Sequence, residues 1–217
     1  GVKLKAEAPA GYRFIGWRSP KNVEKEIFGK ESSWHYYDQG SMDGKSWKSS
    51  VMNSWSSGKA PLGYYTGDTN NSRGHNTKLN YGSDANNKRP TYYFSKEFTL
   101  DHTPSSADVY TLNYAVDDGM VVYINGKEAA RYQMNNGTVS YNTFASTHAA
   151  GNPDNGSLIL PSNLFKKGSN VIAVEVHNNN GTSTDIHFDA ALYASVLSTD
   201  DKIYSEEEEF ILPAGNN

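Results

Sequence analysis

The run Gly119-Met120-Val121-Val122-Tyr123-Ile124, followed by Asn125-Gly126 and then Lys127-Glu128-Ala129-Ala130-Arg131-Tyr132, constrains the fold more than any other stretch. A two-residue type I′ turn needs positive φ at both central positions, which Asn-Gly adopts with little strain, and the flanking runs favour extended backbone. A β-hairpin is therefore expected within Tyr114 to Tyr132. Further extended segments are predicted over 92–100, 107–116, 157–160, 170–177 and 186–197, with Gly- and Asn-rich stretches between them. No segment carries a convincing helical stripe. Many short strands without helices predict an all-β antiparallel sandwich of the jelly-roll kind.

A chain of 217 residues is compatible with one such core. Only 36% of the residues are hydrophobic, so the core is modest and the loops are long. The 15 tyrosines and 4 tryptophans must then serve both core and surface. The net charge is −4 and basic residues never run beyond a pair such as Lys166-Lys167, which argues against nucleic acid as a partner. No apolar run approaches the length of a membrane span, and Gly1-Val2-Lys3-Leu4-Lys5 is unlike a signal peptide, so the chain reads as a piece of a longer protein. The absence of cysteine excludes disulfides and thiolate metal sites.

Three regions are expected along the chain. Residues 1–30 form an N-terminal hairpin and connector, since Val2 to Ala8 alternates, Pro9-Ala10-Gly11 turns, and Tyr12 to Trp17 is apolar again. Residues 31–200 form the sandwich. Residues 201–217, with the run Glu206 to Glu209, form an acidic tail or linker. Within the sandwich, 56–89 is the longest region without clear periodicity, and long ordered loops often carry function.

The segments Trp34-His35-Tyr36-Tyr37-Asp38-Gln39-Gly40, Trp55 to Tyr64, Tyr92 to Phe98, Asp117 to Glu128 and Val174-Glu175-Val176-His177 through Phe188-Asp189 occur in the order that resembles galactose-binding-like jelly-roll modules of secreted bacterial proteins. The resemblance covers roughly residues 31 to 197. It implies a sandwich of eight or more strands and an extracellular or bacterial cell-surface location. It also implies neighbouring domains such as CotH-like kinases, metallophosphatases or polysaccharide-degrading enzymes. Val2 to Trp17 resembles the end of another secreted-protein repeat. The scaffold hosts many activities, so function has to be read from sites.

Four constellations are candidates. Asp117-Asp118-Gly119 sets two hard oxygen donors beside a glycine, which suits calcium, or else a turn whose carboxylates accept backbone N–H groups. Similar Asp-Asp-Gly hairpins occur in PA14-like adhesin domains. Asp185, His187 and Asp189 alternate with Ile186 and Phe188 and so share one face of a strand. The resemblance implies Asp189 as a structural calcium ligand, with Glu24, Glu26 or Glu31 as partners; a solvated polar face is the alternative. His177 and Asn178, in the Asn-rich run that follows a strand, suit a hydroxyl-rich ligand or simply a turn. Tyr64, Tyr65 and Tyr81, with Arg73 and His75, suit an aromatic platform for sugar rings or a self-packed loop. Trp34, Trp47 and Trp55 are expected in the core.

No Gly-x-Ser-x-Gly, His-Glu-x-x-His or Walker pattern is present. The expectation is a non-catalytic carbohydrate-binding module for polysaccharide or glycan, with calcium in a structural role. The alternative is a spacer or docking sandwich that binds no sugar.

Overall fold

The computed structural model of the protein describes residues 3–52, 54–67, 70–149 and 153–211, with backbone alone for 18–20, 198–204, 210 and 211. The contact pattern divides the chain into two compact units, one of residues 1–24 with 195–217 and the other of residues 25–194.

In the first unit, β1 (Lys3–Lys5) pairs antiparallel with β14 (Glu209–Ile211), Leu4 opposite Phe210. The predicted hairpin within 2–17 does not form. The partner of β1 comes from the far end of the chain, and residues 12–16 have no regular structure before β2 (Trp17–Phe28) begins. The acidic run leads into β14, so the stretch expected as a tail supplies a strand.

The second unit is an all-β sandwich. One sheet has the order β10-β9-β12-β7-β3-β4, from Lys127–Tyr132, Gly119–Ile124, Gly168–His177, Thr91–Leu100, Ser33–Tyr37 and Ser56–Lys59. The other has the order β11-β8-β13-β5-β6, from Asp154–Leu160, Val109–Asp117, Asp185–Ser205, Leu62–Tyr65 and Thr77–Lys78, and β2 pairs with β13 as well. Among the described residues the strand registers in these sheets are antiparallel except that of β5 with β6. The hairpin of β9 and β10 turns at Asn125 and Gly126, whose φ values of 50° and 87° are those a type I′ turn requires.

Side-chain alternation in the central strands builds two separate apolar layers. Between the sheets lie Trp34, Phe94 and Phe188, the last two stacked at 4.3 Å, with fully buried Val174 and Val122 in register with Phe94 and fully buried Ile186 two residues before Phe188. The opposite face of the first sheet carries Tyr93, Val121, Tyr123 and Ala173, which a naive reading would leave to solvent. The segment between β3 and β4 folds over it and inserts Met42, Trp47 and Trp55. Trp47 meets Tyr93 edge-on at 4.8 Å. This second layer explains how a chain so poor in aliphatics holds a large unit: aromatic rings bury area on both faces of one sheet. Trp34, Trp47 and Trp55 are all buried.

Candidate functional site at one end of the sandwich

Register places the polar loops at one end. β12 finishes where β7 and β9 begin, with His177 opposite both Thr91 and Gly119. β8 finishes where β11 begins, Val116 opposite Asp154, and Tyr65 at the end of β5 faces Asp185 at the start of β13. Asp118 and the segment 178–184 pass from one sheet to the other at this end.

An open cleft of about 420 Å³ lies among these loops. Tyr81 and Tyr141, both half-buried, line it together with Arg89, Asn87, Asn142 and Gln39. Tyr81 is backed by the core, since its ring lies 5.3 Å from that of Tyr64. The cleft wall is fixed by its own hydrogen bonds: Arg89 N donates to Tyr81 O at 3.0 Å and Lys88 N to Gly181 O at 2.8 Å. Lys88 Nζ is turned inward, donating to Ala85 O at 2.6 Å and Thr182 O at 3.2 Å, so this lysine ties the loop down. Asp38 holds the rim by accepting from Asn80 N at 2.7 Å and Gln39 Nε2 at 2.5 Å. Asp84 is the one acidic side chain among the described residues that line the cleft.

Of the seven residues expected to meet a sugar, Tyr81 alone lines this cleft. Tyr64 is 1% exposed, its ring packed on Tyr81 and Tyr92 and its hydroxyl accepting from Asn178 Nδ2, so it is a core residue and no platform. His177 and Asn178 are buried too. The His177 ring lies 2.7 Å from Thr143 O and 3.0 Å from Thr91 Oγ1, and Asn178 donates to Arg89 O at 3.0 Å. Both are spent on shaping the loops. Tyr65, Arg73 and His75 form a latch over the second sheet. The Arg73 guanidinium sits 4.6 Å from the Tyr65 ring and 3.5 Å from the Asp185 carboxylate, while His75 Nε2 lies 3.1 Å from His187 Nδ1. Burial, and then the charges of His75, Arg73 and Lys30, push His187 down to about 4, so the His187 ring is neutral at pH 7.

Asp185, His187 and Asp189 do share one face of β13, but this latch and the residues beside β2 cover them, and each is less than a tenth exposed. Asp189 accepts from Glu31 N at 3.0 and 3.3 Å. Its Glu31 contact is thus a backbone hydrogen bond. Among the described residues, no converging group of three metal-ligand side chains includes Asp189.

Asp117 and Asp118 form the corner where the chain leaves the second sheet for the first. Asp118 is held through both oxygens: Oδ1 accepts from Ala149 N and pairs with His148 Nδ1, both at 2.8 Å, and Oδ2 accepts from Asn179 N at 2.8 Å. Asp117 is 1% exposed, and its Oδ1 has no partner among the described residues. Burial, then hydrogen bonding to and repulsion by Asp118, then the charge of Asp185, push the Asp117 carboxyl up to about 8 against the pull of Arg73.

Tyr141, Asn142, Arg89 and His148 were not singled out by sequence. Tyr141 and His148 sit in the 133–153 connection, which has no periodicity, and only the closing of that loop against Asp43 and Asp118 brings them to the site. The pairing of Gly with Asn and Ser around them was the sole available signal, and it marks any loop.

No protein-family model and no curated protein matches the chain. Solved structures similar to it include Bacteroides uniformis beta-glucuronidase 2, at 16% identity and a TM-score of 0.48 over 80% of this chain and 18% of that one. A beta-glycosidase from Bacteroides vulgatus aligns at 17% identity and 0.45 over 80% and 20%, and a beta-glucuronidase from an uncultured Clostridium sp. at 12% and 0.42 over 88% and 31%. The chain therefore spans less than a third of the length of each of these proteins.

Proposed function

We propose that this chain is a non-catalytic carbohydrate-binding module of an extracellular protein, and that its glycan lies in the cleft between Tyr81 and Tyr141. The observation that carries the reading is that two half-buried tyrosines, Tyr141 and the Tyr64-backed Tyr81, line one open cleft with amide and guanidinium groups. Sugar rings present C–H faces that pack on aromatic rings, and their hydroxyls need paired donors and acceptors, which Asn87, Asn142, Gln39 and Arg89 supply. Because Tyr81 is braced by Tyr64, little ordering entropy is lost at that ring on binding. Glycoside hydrolysis as commonly performed needs two carboxylates across the scissile bond. A cleft in which Asp84 is the single acidic lining residue among those described favours binding over hydrolysis.

The test is a glycan array and affinity electrophoresis on the whole chain with plant, algal and host polysaccharides. Retention by at least one polysaccharide, abolished in Tyr141→Ala and Tyr81→Ala while both variants keep a cooperative thermal transition, is expected. No retention on any of them would assign the chain to the spacer class instead.

A further inference from the structure

We propose that the inter-sheet corner of Asp117, Asp118 and His148 binds a divalent transition-metal ion, with zinc as the representative. The assignment is independent of the glycan reading of the tyrosine cleft.

One ligand atom from each of these three residues lies within 4.8 Å of the other two, which is the span a single ion bridges. Carboxylates gathered at a corner are common without a metal, and the deciding feature is Asp117. It is almost wholly buried, yet its Oδ1 has no hydrogen-bond partner among the described residues. A buried carboxylate oxygen left bare costs on the order of 1–3 kcal/mol or more, so proteins rarely retain one without a use. A divalent ion bound to Asp117 would satisfy the bare oxygen.

The surrounding bonds prepare the site. Asp118 is fixed in orientation by Ala149 N and Asn179 N, as the outer partners of a metal-bound carboxylate do. His148 has its side chain 58% exposed and stands at the solvent side, which provides the route of entry. Its ring pairs with Asp118 Oδ1 without an ion, so binding requires that contact to open. The donor set decides the ion. Calcium takes six to eight oxygens, whereas two carboxylates with one imidazole fit zinc and its neighbours.

The experiment uses the whole chain freed of metal by a chelator. Isothermal titration with Zn²⁺ and thermal unfolding with and without it are measured on the parent, on Asp117→Asn and on His148→Ala, and Co²⁺ is added as a spectroscopic probe. Saturable binding of one ion per chain, a rise in Tm of several degrees, and visible absorption from bound Co²⁺ are expected, with all three lost in both variants. His148 is exposed and its removal leaves the fold intact, so the assignment stays testable even if Asp117→Asn were to misfold. Absence of saturable binding overturns the proposal, as does binding that survives both variants. Stabilisation by Ca²⁺ but not Zn²⁺ overturns the choice of ion and donor set.

Discussion

Tyr123 Oη donates to Glu175 Oε1 at 2.5 Å in the layer beneath Trp47. Burial raises the affinity of Glu175 for a proton, but the His177 ring 3.7 Å away, the Tyr123 hydroxyl and Lys48 outweigh it and hold the carboxyl below its ordinary range. The buried charge is thus kept by its partners. Tyr123→Phe removes one of them while preserving the ring, and is expected to cost about 1.5–3 kcal/mol in urea unfolding, the usual worth of a hydrogen bond to a buried charge. Glycan retention should be unchanged, because neither residue lines the cleft.

Tyr64→Ala separates packing from binding. A buried ring with contacts to Tyr81 and Tyr92 should cost about 3–5 kcal/mol when truncated, read as a large fall in Tm. An unchanged Tm with lost retention would restore Tyr64 to the ligand face.

Gly63→Ala tests the latch over the second sheet. A Cβ at this position would lie 2.1 Å from Ile186 O and 2.4 Å from His75 Nε2, and the first of these is backbone that cannot yield. Destabilisation of about 1–3 kcal/mol or more is expected. Faster proteolysis of the 70–76 loop should accompany it, since His75 must move.

Burial of His187, reinforced by its His75 neighbour, sets a pH dependence. With the His187 pKa lowered from 6.5 to about 4, the unfolded chain binds a proton in that window that the folded chain refuses. Stability contributed by the neutral ring is complete above pH 6.5 and declines as the pH falls towards 4, by on the order of 2–3 kcal/mol. Denaturant midpoints measured across this window should fall for the parent and fall less for His187→Gln. Equal slopes would assign the acid sensitivity to other groups.

Much of the second unit is legible in the chain. Asn125-Gly126 fixes one hairpin by local sterics, and the period-two runs at 92–100 and 170–177 fix strands and their inward faces. Alternation also places Asp185, His187 and Asp189 on one face of β13. These are properties of a few consecutive residues, so the sequence alone determines them. What tertiary structure decides is which polar face stays wet. The loop between β3 and β4 covers the outer side of the first sheet and brings Lys48 to buried Glu175, the segment around Thr143 closes on His177, and the 70–76 loop buries His187 and Asp185. Tyr64 and Tyr81 stand in adjoining segments of similar composition, yet one faces inward in β5 and the other supports a cleft wall. Exposure depends on contacts between residues far apart in sequence, such as Ala145 with Asn178, and Lys88 with Gly181. No local pattern encodes those contacts, which is why the fold could be read from the residues and the site could not.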